Sequence, residues 1–277
     1  MDKKIEMLFK NGIICIHTYY YKMGAKHSSQ IMPANEAPAK KFIIGIIDVQ
    51  NDFCTGGTLA VSEAEHAIAA INKLRYIYDE HIQTFITQDW HNAKHMSFAE
   101  TFNLEPFTGP HKHKLLMEDD TNVDVEQKAW PKHCVENTYG AQLHRNLVVI
   151  KQDKFIKKGT KKNVESYSGF GDAQKGKYEK TELQNWLQLL QITDIILTGL
   201  ATDYCVYYTA LDALRLGFNV HLIADCVRGV EQKTTDEAIK DMKEKGVILY
   251  NTVDEFHQTN KNIIINNDFI YNFNNRK

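Results

Sequence analysis

An alternation constrains this chain more than any other feature. Between Lys41 and Tyr250, short and nearly continuous apolar runs take turns with stretches of helical periodicity. The first run, KFIIGII at 41–47, has no polar face, as a strand buried on both sides requires. Further strands are expected at 82–87, 147–150, 194–199, 218–225 and 247–250. Helical patterns fill 62–80, 181–191, 201–217 and 233–246. Ser62 and Glu65 have the spacing of a capping box, and Gly217 and Gly246 close two of the helices. Six strands alternating with helices predict an α/β fold: three α/β/α layers around a central, mostly parallel six-stranded sheet. Ligands of such sheets bind beyond the carboxyl ends of the strands. The residues that follow each apolar run are therefore the ones to read for chemistry.

The flanks differ from this centre. Residues 1–39 read as an N-terminal extension whose SSQIMPANEAPAKK segment is a linker. Residues 40–258 form the expected domain. Residues 259–277 are an Asn-rich tail expected not to pack fully on the core. The stretch 90–146 shows little regular pattern. The run beginning Met23-Gly24-Ala25-Lys26-His27-Ser28 matches a myristoylation signal only if translation starts at Met23.

Composition narrows the classes of function. A net charge of -2 gives no general attraction to nucleic acid or an anionic membrane, and no apolar run has the length of a membrane span. Five cysteines, at 15, 54, 134, 205 and 226, are odd in number and lack the spacing of a disulfide framework or a zinc knuckle. A reducing, cytoplasmic compartment is the expectation.

Four kinds of reactive side chain fall on the predicted rim. Asp48 ends the first strand, in IIDVQNDF. A carboxylate there is costly to desolvate unless it pairs or works, as a general base for instance; capping a turn through Asn51 or Asp52 is the alternative. Cys205 falls in the first turn of a helix if Thr202 or Asp203 caps it. A helix N-terminus favours the thiolate and offers free N–H groups to an oxyanion. A small buried hydrophobe is the other reading of Cys205. Asp89 and His91, two apart at a strand end, point to one side and can share a metal ion, with His95 and His133 the nearest further candidates. One carboxylate and two imidazoles leave positions open for water and substrate, and suit Zn, Fe or Mn. His111 and His113 read as a solvated basic loop.

Taken together, DVQNDF (48–53), DWH (89–91), WPKHC (130–134), KKGT…SYSGF (157–170) and GLATDYCV (199–206) resemble the nicotinamidases of the isochorismatase-like hydrolase superfamily, in the same order and over roughly residues 41–253. The resemblance implies an amidase that converts nicotinamide to nicotinate and ammonia through a cysteine thioester, feeding NAD salvage. It implies Asp48, Lys158 and Cys205 as the catalytic triad. Six lysines crowd the 151–162 segment, and Lys158 is the one followed by Gly shortly before YSGF. It implies Asp89, His91 and His133 as ligands of one divalent ion, zinc first, with His95 a further ligand in some members. Phe53, Trp130 and Tyr167 would wall the pyridine ring, whose nitrogen the metal would hold. A cis peptide at Leu200-Ala201 would place the Ala201 and Cys205 N–H groups as an oxyanion hole. Relatives often assemble, so a homo-oligomer is expected. A cysteine hydrolase for ureido or carbamoyl substrates, and a silent homologue that only binds, are the rival readings. The first typically lacks the metal set, and the second would show a broken triad.

Overall fold

The computed structural model describes residues 5–10, 13–18, 40–117, 121–172 and 177–274. The chain divides into two compact units, Met1–Pro38 and Ala39–Lys277. The first contains an antiparallel hairpin of β1 (Ile5–Lys10) and β2 (Ile13–Thr18), with Ile5 opposite Thr18. The Met23 signal and nearly all of the expected linker lie outside the described residues.

In the second unit, eight strands follow: β3 (Phe42–Ile47), β4 (Thr84–Asp89), β5 (His111–Leu116), β6 (Asn122–Gln127), β7 (Lys154–Lys158), β8 (Asp194–Leu200), β9 (Asn219–Arg228) and β10 (Ile248–Tyr250). β5 and β6 pair antiparallel. The other six form one sheet in the order β10-β9-β8-β3-β4-β7, and every neighbouring pair is parallel. The expected α/β sheet is thus present and wholly parallel.

Among the described residues five helices flank it: α1 (Ala64–Tyr78), α2 (Leu183–Leu189), α3 (Tyr207–Arg215), α4 (Gln232–Glu244) and α5 (Val253–Asn274). The period-2 alternation of a strand separates the two faces. Ile44 and Ile46 join Ile68, Ile71 and Leu74 of α1 and Phe256 of α5. Ile43 and Ile47 join Leu187 of α2, Ala210 of α3 and Met242 of α4. Each of these Ile, Leu, Met and Phe side chains, fully buried, contributes about 1.5–3 kcal/mol of hydrophobic stabilisation.

Several expectations are corrected. The third strand is Lys154–Lys158 and not 147–150. Val148 and Val149 are 43% and 41% exposed, and the Val148 and Ile150 N–H groups donate to the Asn72 and Asp153 side chains instead of a neighbouring strand. Just before that strand, Asp153 is buried and ion-paired with fully buried Arg75 at 3.1 Å. The capping box does not form. Glu63 precedes α1 in a left-handed conformation without a side-chain cap, and the Glu65 carboxylate accepts from the Thr55 N–H and hydroxyl. His111 and His113 lie on strand β5, and His113 stacks on Phe102. The Asn-rich segment continues α5 as far as Asn274, and Asn260 and Ile264 are buried.

Candidate active site

The sheet begins at β3 and grows from both sides of it, so its carboxyl rim has a crevice where the chain reverses direction. Asp48 follows β3, Asp89 ends β4 and Lys158 ends β7. Cys205 lies in a π-helical turn, Thr202–Val206, that links β8 to α3. Four separate strands thus deliver four reactive groups to one place.

Lys158 is the hub. Its fully buried Nζ is 2.9 Å from Asp48 Oδ2, 2.6 Å from Asp89 Oδ1, 3.3 Å from Cys205 Sγ and 3.1 Å from the Ser166 carbonyl. One ammonium between two carboxylates keeps their charges from destabilising the core. Burial works against the Lys158 charge, but Asp48 and Asp89 hold its pKa well above the ordinary lysine value. Burial raises Asp48 above the usual carboxylate value, with Lys158 pulling the other way. Asp48 has φ 48°, and its Oδ1 accepts from the Thr87 hydroxyl at 2.7 Å. Its side chain therefore serves the crevice and does not cap Asn51 or Asp52.

Cys205 departs from one expectation. Burial pushes its thiol well above the ordinary value, and Lys158 offsets only part of this. It rests as a thiol and needs a base, despite its place at a helical start. Neither Thr202 nor Asp203 caps that start: Ala201 holds the cap position, and the Asp203 carboxylate accepts from the Val230 and Glu231 N–H groups instead. The Leu200-Ala201 peptide is cis.

Next to these groups, Asp89, His91 and His133 bring one ligand atom each within 4.8 Å of one another, all buried. His91 Nδ1 donates to the Gly159 carbonyl at 2.8 Å, and His133 Nδ1 donates to the Pro131 carbonyl at 2.7 Å. Both rings thereby turn Nε2 toward Asp89 Oδ2, at 3.5 and 4.0 Å. Backbone acceptors on the far nitrogens are how metal-binding imidazoles are oriented, so the residues fit a divalent ion. Burial alone would raise Asp89, but Lys158 and His91 hold its carboxyl well below the usual range. Burial pushes His133 down to about 4, which keeps it neutral. His95 is not placed as a ligand. It stacks on His91 at 4.1 Å, its Nε2 donates to the Val164 carbonyl and its Nδ1 accepts from the Ser97 N–H.

Aromatic side chains stand around these groups. Phe53 lies 5.5 Å from His133. The Trp130 indole N–H donates to the Tyr167 hydroxyl at 2.9 Å, and the Gln127 amide donates to the same oxygen at 2.7 Å. Tyr204 closes the group, 4.8 Å from Trp130 and 5.6 Å from Tyr167. Two supports had no sequence signal. Gln127 ends a strand in a segment that showed no pattern. Glu179 accepts from the Gly159 and Thr160 N–H groups and the Ser166 hydroxyl, and so clamps the segment after Lys158.

A thiol, a raised carboxylate and an ammonium in contact serve nucleophilic addition to a carbonyl, the chemistry of a cysteine-dependent hydrolase. The family model for the isochorismatase domain matches residues 42–254. The nicotinamidase of Escherichia coli (strain K12) is 40% identical over 212 residues, 76% of this chain and 94% of that protein. The yeast nicotinamidase bound to the inhibitor nicotinaldehyde superposes with a TM-score of 0.70 at 28% identity, covering 76% of this chain and 100% of that one. The pyrazinamidase of Pyrococcus horikoshii in complex with zinc superposes with a TM-score of 0.61 at 30% identity, covering 76% and 98%. The chain therefore belongs to the isochorismatase family, in its nicotinamidase branch.

Proposed function

We propose that Cys205, Asp48 and Lys158 carry out, in this chain, the hydrolysis of nicotinamide to nicotinate and ammonia. The observation that carries the assignment is the contact of Lys158 Nζ with both Asp48 and Cys205 in one buried crevice. Asp48 takes the proton of the Cys205 thiol, and the sulfur adds to the amide carbon. The Ala201 and Cys205 N–H groups hold the oxyanion. As the carbon–nitrogen bond breaks, Asp48 returns its proton to the leaving ammonia and a thioester remains. Water then loses a proton to Asp48, adds to the thioester and releases nicotinate, and the sulfur regains its proton. Lys158 keeps the Asp48–Cys205 pair neutralised throughout.

Asp89, His91 and His133 would hold one divalent ion, zinc by their ligand types and by analogy with the zinc-bound Pyrococcus pyrazinamidase. When bound, it supplies a Lewis-acid anchor for the pyridine nitrogen. Phe53, Trp130 and Tyr167 orient the ring, and His95 supports His91 from behind. A thiol nucleophile fits a reducing, cytoplasmic compartment, and no helix among the described residues is long and apolar enough to cross a membrane. A homo-oligomer is part of the same reading, and the nicotinate formed feeds NAD salvage. Ammonia release from nicotinamide by the purified protein tests the reading. Release that disappears in Cys205→Ala supports it, and release that persists in that variant contradicts it.

A further inference from the structure

A second set of metal-ligating side chains lies outside the catalytic crevice. Cys54 follows the short 3-10 turn Asn51–Phe53 after β3, Glu65 is in the first turn of α1, and His144 lies in the segment before β7. Their sulfur, carboxylate oxygen and imidazole nitrogen all fall within 4.8 Å of one another. None of the three belongs to the Asp89, His91 and His133 set.

We infer that Cys54, Glu65 and His144 bind a second divalent cation of the zinc class. Thiolate, imidazole and carboxylate together are the ligands a borderline-soft ion takes, and hard ions such as Mg or Ca avoid sulfur. Thiolate and carboxylate neutralise the two positive charges, with the Cys54 proton released to solvent. In a tetrahedral shell with metal–ligand bonds of about 2.0–2.3 Å, ligand atoms stand roughly 3.5 Å apart, so shifts of about an ångström close the set.

The three positions are fixed without the ion. Thr55 holds both Glu65 oxygens, from its N–H and its hydroxyl, each at 3.0 Å. Such a bond to a ligating carboxylate is what orients it. The Cys54 N–H donates to Asn51 O at 3.1 Å, and the His144 N–H donates to Val49 O at 2.9 Å. The bond from the Asn146 N–H to the His144 ring is long, 3.4 Å, and yields readily to a metal. Cys54 is buried while Glu65 and His144 are half-buried, so the ion enters from the solvent side and keeps a water in its fourth position. It ties the turn after β3 to α1 and to the segment before β7, away from the catalytic groups.

The test is metal stoichiometry. Metal-free full-length protein is reloaded with zinc, freed of excess, and its zinc per chain measured by inductively coupled plasma mass spectrometry. The wild type should take up a second equivalent, and His144→Ala should lose it while keeping the first equivalent and its nicotinamide turnover. Uptake of a single equivalent by the wild type, or two equivalents retained by His144→Ala, would overturn the site. Cobalt gives a second readout. In the Cys205→Ala background, a near-ultraviolet thiolate-to-cobalt band that Glu65→Gln and His144→Ala weaken is expected, and its absence contradicts a Cys54 ligand.

Discussion

At the scale of the residue, the site is an arrangement of charges. Lys158 neutralises Asp48 and Asp89, so Lys158→Met leaves two buried carboxylates without their counter-ion. Loss of turnover together with about 3–5 kcal/mol of stability is expected, measured by ammonia release and urea unfolding. The base works only as a carboxylate. Because burial raises Asp48, the acid limb of kcat/KM should lie above the ordinary aspartate value of 3.8, with activity falling as pH drops through it. A pH profile that stays flat down to that value contradicts Asp48 as the base. Asp48, Asp89, His91 and Cys205 were legible because each stands at or just after an apolar run or its turn. Lys158 was not legible from spacing, as it is one of six lysines between 151 and 162. Only the family pattern separated it, and its burial depends on two carboxylates that are distant in sequence.

At the scale of the element, the segment after β7 orients His91, one of the candidate metal ligands. Gly159 has φ 60°, and a Cβ there would stand 2.5 Å from the His91 ring. Gly159→Ala should push that ring away and weaken metal retention about tenfold or more, read by competition with a chelator. The same element explains a misreading. LVVI is the more apolar run, yet KFIKK pairs with β4 because Ile156 fills the core and Lys158 is neutralised at the strand end. The β5–β6 hairpin escaped notice because its strands are largely polar, with only an intermittent inward face. α5 escaped because composition masked its periodicity. Phe256, Asn260 and Ile264 recur at helical spacing, and Asn260 donates to the Tyr250 hydroxyl and the Phe256 carbonyl. Ile264→Ala should therefore cost about 2–5 kcal/mol in denaturant unfolding. A change near zero would mean that the segment does not pack.

At the scale of the whole molecule, one parallel sheet explains why the chemistry gathers where it does. Strand ends separated by up to about 150 residues in sequence meet because parallel strands point their carboxyl ends the same way. That much follows from the alternation of apolar runs and helices, with one strand corrected, from 147–150 to Lys154–Lys158. The clamp by Glu179 depends on a loop path, and the support from Gln127 on a largely polar strand, that no periodicity encodes. The division of labour is also testable at this scale. Removing the ion proposed at Asp89, His91 and His133 should raise the KM for nicotinamide, and restoring zinc should reverse it; an unchanged KM in the metal-free enzyme contradicts an anchoring role for that ion. The central claim, that the amide carbon passes through a covalent bond to Cys205, is tested most directly by acid-quenching the enzyme during turnover of nicotinamide and mapping its peptides by mass spectrometry. The account predicts a nicotinoyl thioester on the peptide containing Cys205, absent in Cys205→Ala. Rapid turnover with that peptide unmodified at every quench time would contradict it.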